Sequence, residues 1–526
     1  MSDPTTGTRP LNAAQLGVWY AQRIDPTNPV HNMGGYLEIR GPLDPDALLA
    51  TVRTLVAEDE TLRLRFTEVD GVPAQYLGPA PDFTPRLRDL SAEPDPHAAA
   101  LRLMREDMDA APDLERDRLF HHEIIRLGPD HHLWYNRAHH LIHDGYTSTV
   151  LRRRGAELYT ALVGGHPAGA PLGSFTALLD EQARYTGSRA QQRDAAYWRQ
   201  MMADAPQPPG PPSPARPTNR VTRQVCRVDV EGVARLRGFA ERAGVTWQQA
   251  LLTAAAVHRH LWTGEDDVLL SLPVPGRLGP AAIGVPGMMA NVLPLRCRVD
   301  PAETAEALAA KVARQALRAQ WHQRYDSADL LRDLGWSTDG RREFGPVVNF
   351  VAGDEQNTFA GLPAVHHLFS TGGTVEDLAL TVTHHPEGGL RIDVSVDSAH
   401  RDAVDLDAYQ RTFRRVLAAM TARPDTPVGD IDLLDAVERD AVLRGWNETG
   451  VSVVDGSLGG LFAGRVGVDA GALAVVCGGW VCRMGSWMFG RLVWRGICCR
   501  WGLVGVMWWG CCWSGGWSLR LRCWGW

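Results

Sequence analysis

Before residue 477 this chain of 526 residues has only two cysteines, Cys226 and Cys297. So few thiols exclude a disulfide framework and point to a reducing, cytoplasmic setting. An excess of positive charge is also missing. The formal net charge is −7 and the pI is about 6.2, which leaves no electrostatic footprint for nucleic acid. The N-terminus, Met1-Ser2-Asp3-Pro4-Thr5, lacks the apolar run of a secretory signal. The most unusual absence is at the other end. From Val475 to Trp526 there is no Asp, Glu, Lys, His, Asn, Gln, Tyr, Pro, Thr or Ala. Every residue type left there can be encoded with G or T at the second codon base, a restriction that selection on a folded domain would not produce. Residues 479–526 are therefore expected to be a frameshifted or corrupted segment that does not fold. Within them Trp501 to Leu519 is uncharged and just long enough to span a bilayer. That stretch is crowded with Trp, Gly and Cys, and no histidine or spaced pair accompanies Cys498-Cys499 or Cys511-Cys512. Neither a membrane span nor a metal site is expected there.

What the chain does have is a concentration of titratable groups at one place. His139-His140-Leu141-Ile142-His143-Asp144-Gly145 puts three imidazoles, a carboxylate and a glycine into seven positions. Leu133 to Ala138 before it is short, aromatic and strand-like. Leu151, Gly155, Leu158 and Leu162 after it recur at helical spacing. The cluster therefore lies where a strand gives way to a helix, and Gly145 allows a sharp turn or close approach of a substrate. Three chemistries fit these residues. One is acyl transfer, with a histidine as base or positioning group and Asp144 fixing the loop. Another is a metal site of His139, His140, His143 and Asp144, for which no second ligand cluster follows. The third is a solvated strand end with no chemistry.

The rest of the chain alternates strands and helices, an α/β pattern. Leu37 to Arg40 reads as a strand. Asp44 with Pro45 reads as a helix N-cap, followed by the apolar stripe Leu48, Val52, Leu55 and Val56. Leu62, Leu64 and Phe66 alternate as a half-buried strand, and Trp19 reads as a core aromatic. His122 to Leu127 and His131 to Ala138 form a hairpin about Gly128-Pro129-Asp130, with His131-His132 solvated near the turn. Ala205 to Pro217 is so rich in proline that it reads as a linker between two comparable halves. The second half is expected to hold a strand at 224–230, a helix at 247–262 and a buried strand at 268–274.

The seven-residue cluster matches the HHxxxDG motif, and the chain resembles the condensation domains of nonribosomal peptide synthetases. Further stretches carry the resemblance from about residue 11 to 437: Leu11 to Trp19, Glu60 to Phe66, Asn291 to Arg296, His322 to Asp326 and Gly345 to Phe350. Gly287-Met288-Met289-Ala290 stands where the family more usually has an aromatic-valine pair before the Asn. The resemblance implies two chloramphenicol-acetyltransferase-like lobes, an N-lobe (8–204) and a C-lobe (218–437), forming a V-shaped pseudo-dimer with the active loop at their junction. It implies that His140 is catalytic, with Asp144, Gly145 and His139 around it. It also implies a buried, bidentate Arg277–Asp144 ion pair bridging the lobes. His139 is expected to pack structurally. The implied reaction is amide bond formation between thioesters on 4'-phosphopantetheine arms of upstream and downstream carrier proteins, with no cofactor or metal held by the chain itself. The wording is closest to a serine-activating siderophore synthetase. Residues 438–457 resemble a linker to an adenylation domain, and 458–478 resemble the first helix and strand of a truncated one. The alternatives are a free acyltransferase using a coenzyme A thioester and an inactive module that only docks carriers.

Overall fold

The computed structural model describes residues 7–207, 221–336, 343–351, 358–370, 375–376, 378–385, 388–398, 405–450, 456–477 and 480–489. It divides into a large unit, 1–435, and a second unit, 436–526. The large unit is built on two six-stranded sheets.

The first sheet has the order Thr358–Phe359, Leu362–Ser370, Asn32–Arg40, His131–His139, Phe120–Gly128, Leu87–Asp89. Its central hairpin forms about the turn at 129–130, with Ile124 opposite Trp134 and His122 opposite Asn136. The strand His131–His139 thus lies in the middle of the sheet and delivers the histidine cluster at its end; below it is called the motif strand. The helix Gly145–Gly164, the motif helix, packs back against this sheet. Its approach depends on Gly155, because a Cβ there would lie 2.7 Å from the Trp134 ring. The helix Pro45–Glu58 starts at Asp44, whose carboxylate accepts from the N–H groups of Asp46 and Ala47. It buries Leu48, Val52, Leu55 and Val56, and Trp19 is likewise fully buried.

The second sheet has the order Asn291–Arg298, Asp267–Val274, Val347–Phe350, Ala379–His384, Leu390–Asp397, Val221–Val228. The helices Trp247–Thr263, Ala305–Trp321 and Leu406–Ala422 supply Leu251, Val312 and Phe413 to its core. Two lobes, each on a mixed sheet with helices, are the α/β architecture expected.

The fold departs from the sequence reading in five places. The strand expected at 224–230 runs Val221–Val228, because Asp229 caps a helix that opens at Val230. The halves are not contiguous: after the second lobe has begun, Leu362–Ser370 returns to the first sheet and pairs antiparallel with Asn32–Arg40, Ala364 opposite Ile39. Residues 358–370 therefore belong to the first lobe's sheet, because an open edge strand is completed from a distance. Glu60–Arg63 is a 3-10 turn, not strand; the Asp59 carboxylate accepts from the Thr61 N–H and hydroxyl, and the strand begins at Leu64. The pair His131-His132 is not solvated, since His132 is 1% exposed and His131 is bonded to Glu38 at 2.8 Å. In the second unit the helix Leu458–Val468 and strand Leu473–Cys477 lie where a helix and a strand were expected. Trp480–Arg483, placed in the non-folding tail, instead pairs antiparallel with that strand.

Of the expected proline-rich linker, residues 208–217 lie outside the described residues, as do Trp501–Leu519 and the paired cysteines at 498–499 and 511–512. Among the described residues no helix is long and apolar enough to cross a membrane.

Candidate active site

The motif strand ends by handing its hydrogen bonds to loops. The N–H of His139 donates to Leu119 O at 2.8 Å and that of His140 to His31 O at 2.8 Å. A tight turn follows, closed by the Ile142 N–H on His139 O at 3.0 Å. Asp144 then caps the motif helix, its Oδ1 accepting from Thr147 N–H and Thr147 Oγ1, each at 2.9 Å. The loop is clamped from two other elements. Gln15 Nε2 donates to Leu141 O at 3.2 Å, and His143 Nε2 is bonded to Asp59 Oδ2 at 3.0 Å and to Thr61 Oγ1 at 2.9 Å.

Each histidine has a different lot. In His139, fully buried, Nε2 meets Gln22 Oε1 at 3.0 Å and Nδ1 accepts from the Leu141 N–H at 3.2 Å. Both nitrogens are occupied, and burial, with His31 and His140 nearby, holds its pKa well below the usual range. His140 is only partly buried. Its Nδ1 lies 2.9 Å from His143 O, a carbonyl that can only accept, so Nδ1 carries the proton. Among the described residues nothing bonds to Nε2, whose lone pair is left free. Burial lowers the His140 pKa, and the nearby Asp144 carboxylate opposes without reversing it. The ring is thus a neutral imidazole of one tautomer near neutral pH.

Asp144 is 0% exposed and spends its second oxygen across the lobes. Oδ2 accepts from Arg277 Nη1 at 2.6 Å and from the Met289 N–H at 3.1 Å. Burial alone would raise its pKa, but the Arg277 guanidinium and the donated N–H groups outweigh that and hold it lowered. The pair is buried and joins the two lobes, but it is not bidentate. Arg277 gives Nη2 to Gly287 O at 2.7 Å and Nε to Val285 O at 3.2 Å, so only Nη1 reaches the carboxylate. Arg277 sits just past Gly276, whose φ of +64° and 1.9 Å Cβ-to-Met289 O approach admit only glycine.

Gly145 differs from expectation in one respect. It occupies the first position of a helix without a positive φ, so it makes no sharp turn. A Cβ there would meet nothing within 4 Å, so the space beside it is open to a ligand. The four groups weighed as metal ligands do not converge: His139 turns to Gln22, His143 to Asp59, and Asp144 to Arg277. Two cavities lie in this region, and of the two only the second is lined by a residue of the loop. One lies on the seam of the lobes, walled by Asn12, Gly276, Met289 and Gln323. The other lies between motif strand and motif helix, with His143 in its wall.

The family model described as Condensation domain matches residues 5–443. The chain belongs to the condensation domain family. A dimodular nonribosomal peptide synthase of Bacillus subtilis (strain 168) is 33% identical over 470 residues, 89% of this chain and 20% of that protein. An isonitrile lipopeptide synthase of Streptomyces coeruleorubidus is 37% identical over 438 residues, 82% of this chain and 30% of that protein. Enterobactin synthase component F of Escherichia coli (strain K12) is 32% identical over 477 residues, 88% of this chain and 36% of that protein. The chain therefore spans 20 to 36% of the length of these relatives. Among solved structures, a mutant starter condensation domain of rhizomide synthetase RzmA, in complex with C8-CoA and Leu-SNAC, superposes with a TM-score of 0.74 at 34% identity, covering 81% of this chain and 98% of that one. The first condensation domain of the CDA synthetase gives 0.73 at 32%, covering 82% and 100%.

The sequence reading placed His139, His140, Asp144, Gly145 and Arg277, and the structure brings all five to this loop. It missed the residues that hold the loop: Gln15, Gln22, Asp59, Thr61 and Thr147. Of these only Thr147 had a local signal, three residues after a capping aspartate. The others lie 60 or more residues away in sequence, where spacing carries no information.

Proposed function

We propose that this condensation domain joins the acyl group of an upstream carrier-bound thioester to the amine of a downstream carrier-bound aminoacyl thioester. The amine nitrogen attacks the thioester carbonyl, the C–N bond forms, and the upstream pantetheine thiol leaves. Nε2 of His140, with its lone pair free, carries the proposal. It accepts the N–H of the incoming amine, which orients the lone pair and gives the proton a destination. The N–H groups at the start of the motif helix, near Gly145, are assigned to the developing oxyanion. Asp144 does no chemistry; with Arg277 it holds loop and lobes in register. His139 packs structurally. A thioester is already activated and an α-amine of pKa about 8 is partly neutral at pH 7.5, so positioning supplies much of the acceleration.

Carrier proteins bearing 4'-phosphopantetheine arms are the partners this reading requires, in the cytoplasm. A following adenylation domain is proposed from the helix and strand at 458–477. A siderophore-like product is the narrower proposal, supported by the likeness to enterobactin synthase component F. A second reading, an acyl-coenzyme A donor, draws on the RzmA starter domain in complex with C8-CoA. The test offers the chain aryl and aminoacyl donor carriers, or acyl-coenzyme A, with a seryl acceptor carrier, and follows amide by intact mass. Amide from the carrier pair supports the main reading; amide from coenzyme A donors alone supports the second. Carrier binding without amide from any donor sinks both and leaves an inactive docking module.

A further inference from the structure

Three consecutive carboxylates follow one another at the end of the helix Pro45–Glu58, and each grips a different element around the reaction loop. Glu58 takes Arg154 of the motif helix in two bonds, Nε to Oε2 at 2.9 Å and Nη2 to Oε1 at 2.7 Å. Glu60 Oε2 accepts from Ser174 Oγ at 3.0 Å and from the Thr176 N–H at 3.1 Å, at the start of the helix Phe175–Tyr185. Between them, Asp59 reaches the loop itself. It is fully buried, and its backbone ends one helix and caps the 3-10 turn that follows. Asp59 Oδ1 accepts from the Thr61 N–H at 2.9 Å and from the Thr61 hydroxyl at 2.6 Å. Oδ2 is left for His143 Nε2, 3.0 Å away. The Thr61 hydroxyl gives its proton to Asp59, so at 2.9 Å from the same Nε2 it accepts. Both partners of Nε2 are acceptors, and Nε2 therefore carries the proton.

This anchor stands one hydrogen bond from the reacting imidazole. The carbonyl that accepts the His140 Nδ1–H belongs to His143. Its direction sets the plane of the His140 ring, and with it the direction of Nε2. The 143–144 peptide is held on its far side by Asp144, through Arg277 and the Met289 N–H. On its near side the His143 N–H makes only a long bond, 3.3 Å, to His139 O. The His143 side chain supplies the second fixed point. Stability alone does not call for these residue types. A buried carboxylate–imidazole pair adds little over apolar side chains of equal volume, whereas it specifies one geometry.

We propose that Asp59 and His143 are positioning residues for His140. Asp59 fixes the His143 side chain, His143 fixes the carbonyl, and the carbonyl aims the Nε2 lone pair at the amine. The inference rests on the reading of His140 as the group that receives the amine. The test is a set of single-turnover rates on the full chain, with a seryl acceptor carrier and the donor carrier that reacts fastest. Each variant is made in the parent and again in the His140→Ala chain. His143→Leu keeps the carbonyl but loses the anchor. Its rate at saturating carriers should fall at least about tenfold, with the half-saturating carrier concentration unchanged. His143→Gln, whose amide N–H still reaches toward Asp59, should recover most of that loss. Asp59→Ser keeps a cap for the Thr61 N–H but is too short for His143. It should also slow the reaction, and it carries the test if the urea midpoint shows that His143→Leu does not fold. In the His140→Ala chain none of the three should slow the reaction further, because no imidazole remains to be aimed. Slowing by the same factor in both chains marks a merely structural role and overturns the inference. So does a parent rate that neither His143→Leu nor Asp59→Ser changes. Either result leaves the condensation reading intact. No amide from the parent chain, or equal rates for it and His140→Ala, sinks that reading and this one together.

Discussion

Replacing Arg277 by leucine strands a carboxylate. Asp144 is fully buried and keeps only the Thr147 N–H, the Thr147 hydroxyl and the Met289 N–H when the guanidinium goes. Breaking a buried pair from one side costs about 3–5 kcal/mol, because the remaining charge is uncompensated. That is a large share of a typical total stability of about 5–15 kcal/mol. Arg277 also loses its bonds to the carbonyls of Pro275, Val285 and Gly287, so the single variant overstates the pair. A double-mutant cycle with Asp144→Asn isolates it. Asparagine keeps an acceptor for Thr147 but removes the charge, so the double variant should recover about 2–3 kcal/mol relative to the sum of the singles. Urea unfolding of the four proteins, followed by tryptophan fluorescence at pH 7.5, measures this. The pH dependence provides a second check. The folded pKa of Asp144 is lowered, so its contribution is fully present above the unfolded value of about 3.9 and is lost as pH falls through the folded value below that. Simple additivity of the two singles at pH 7.5 would refute the coupling.

Gly145→Ala should fold with its stability within about 1 kcal/mol of the parent, because the new methyl meets open space and sits in a helix. It should nonetheless slow amide formation, since that space is assigned to substrate; an unchanged rate would count against the assignment. Gly155→Ala should do the opposite, costing about 1–3 kcal/mol by driving a methyl to 2.7 Å from the Trp134 ring, read as a lower urea midpoint. His122, His139 and His258 all have lowered pKa values, with burial the main cause in each. The unfolded chain therefore binds more protons once pH drops below about 6.5, and stability should fall from there by up to about 1.4 kcal/mol per pH unit for each histidine. Urea midpoints that stay level between pH 7.5 and 5.0 would contradict this. The lowered pKa of His140 likewise places the acid limb of the rate profile below pH 6.5; a limb above that value would deny His140 its role.

Much of this site was legible because it is local. A central strand, a tight turn and a capped helix are all encoded within Leu133 to Leu162, and Asp144 caps as an aspartate in that position should. The Asp44-Pro45 helix start was legible for the same reason. The return of Leu362–Ser370 to the first sheet was not, because strand pairing across more than 300 residues leaves no mark on either segment's alternation. The burial of His132 was hidden by its polarity. The geometry of Arg277 was hidden too: the guanidinium divides its donors between one carboxylate and three backbone carbonyls, and carbonyls have no sequence signal.

The most direct test of the central claim is a single-turnover comparison of the parent and His140→Ala, with donor and acceptor carriers preloaded and amide counted by mass at pH 7.5. His140 bonds through Nδ1 to one carbonyl, so the variant should keep its urea midpoint within about 1 kcal/mol. Its rate should fall by at least about 100-fold. Equal rates in the two proteins would contradict the account, because the free Nε2 lone pair would then have no part in forming the bond.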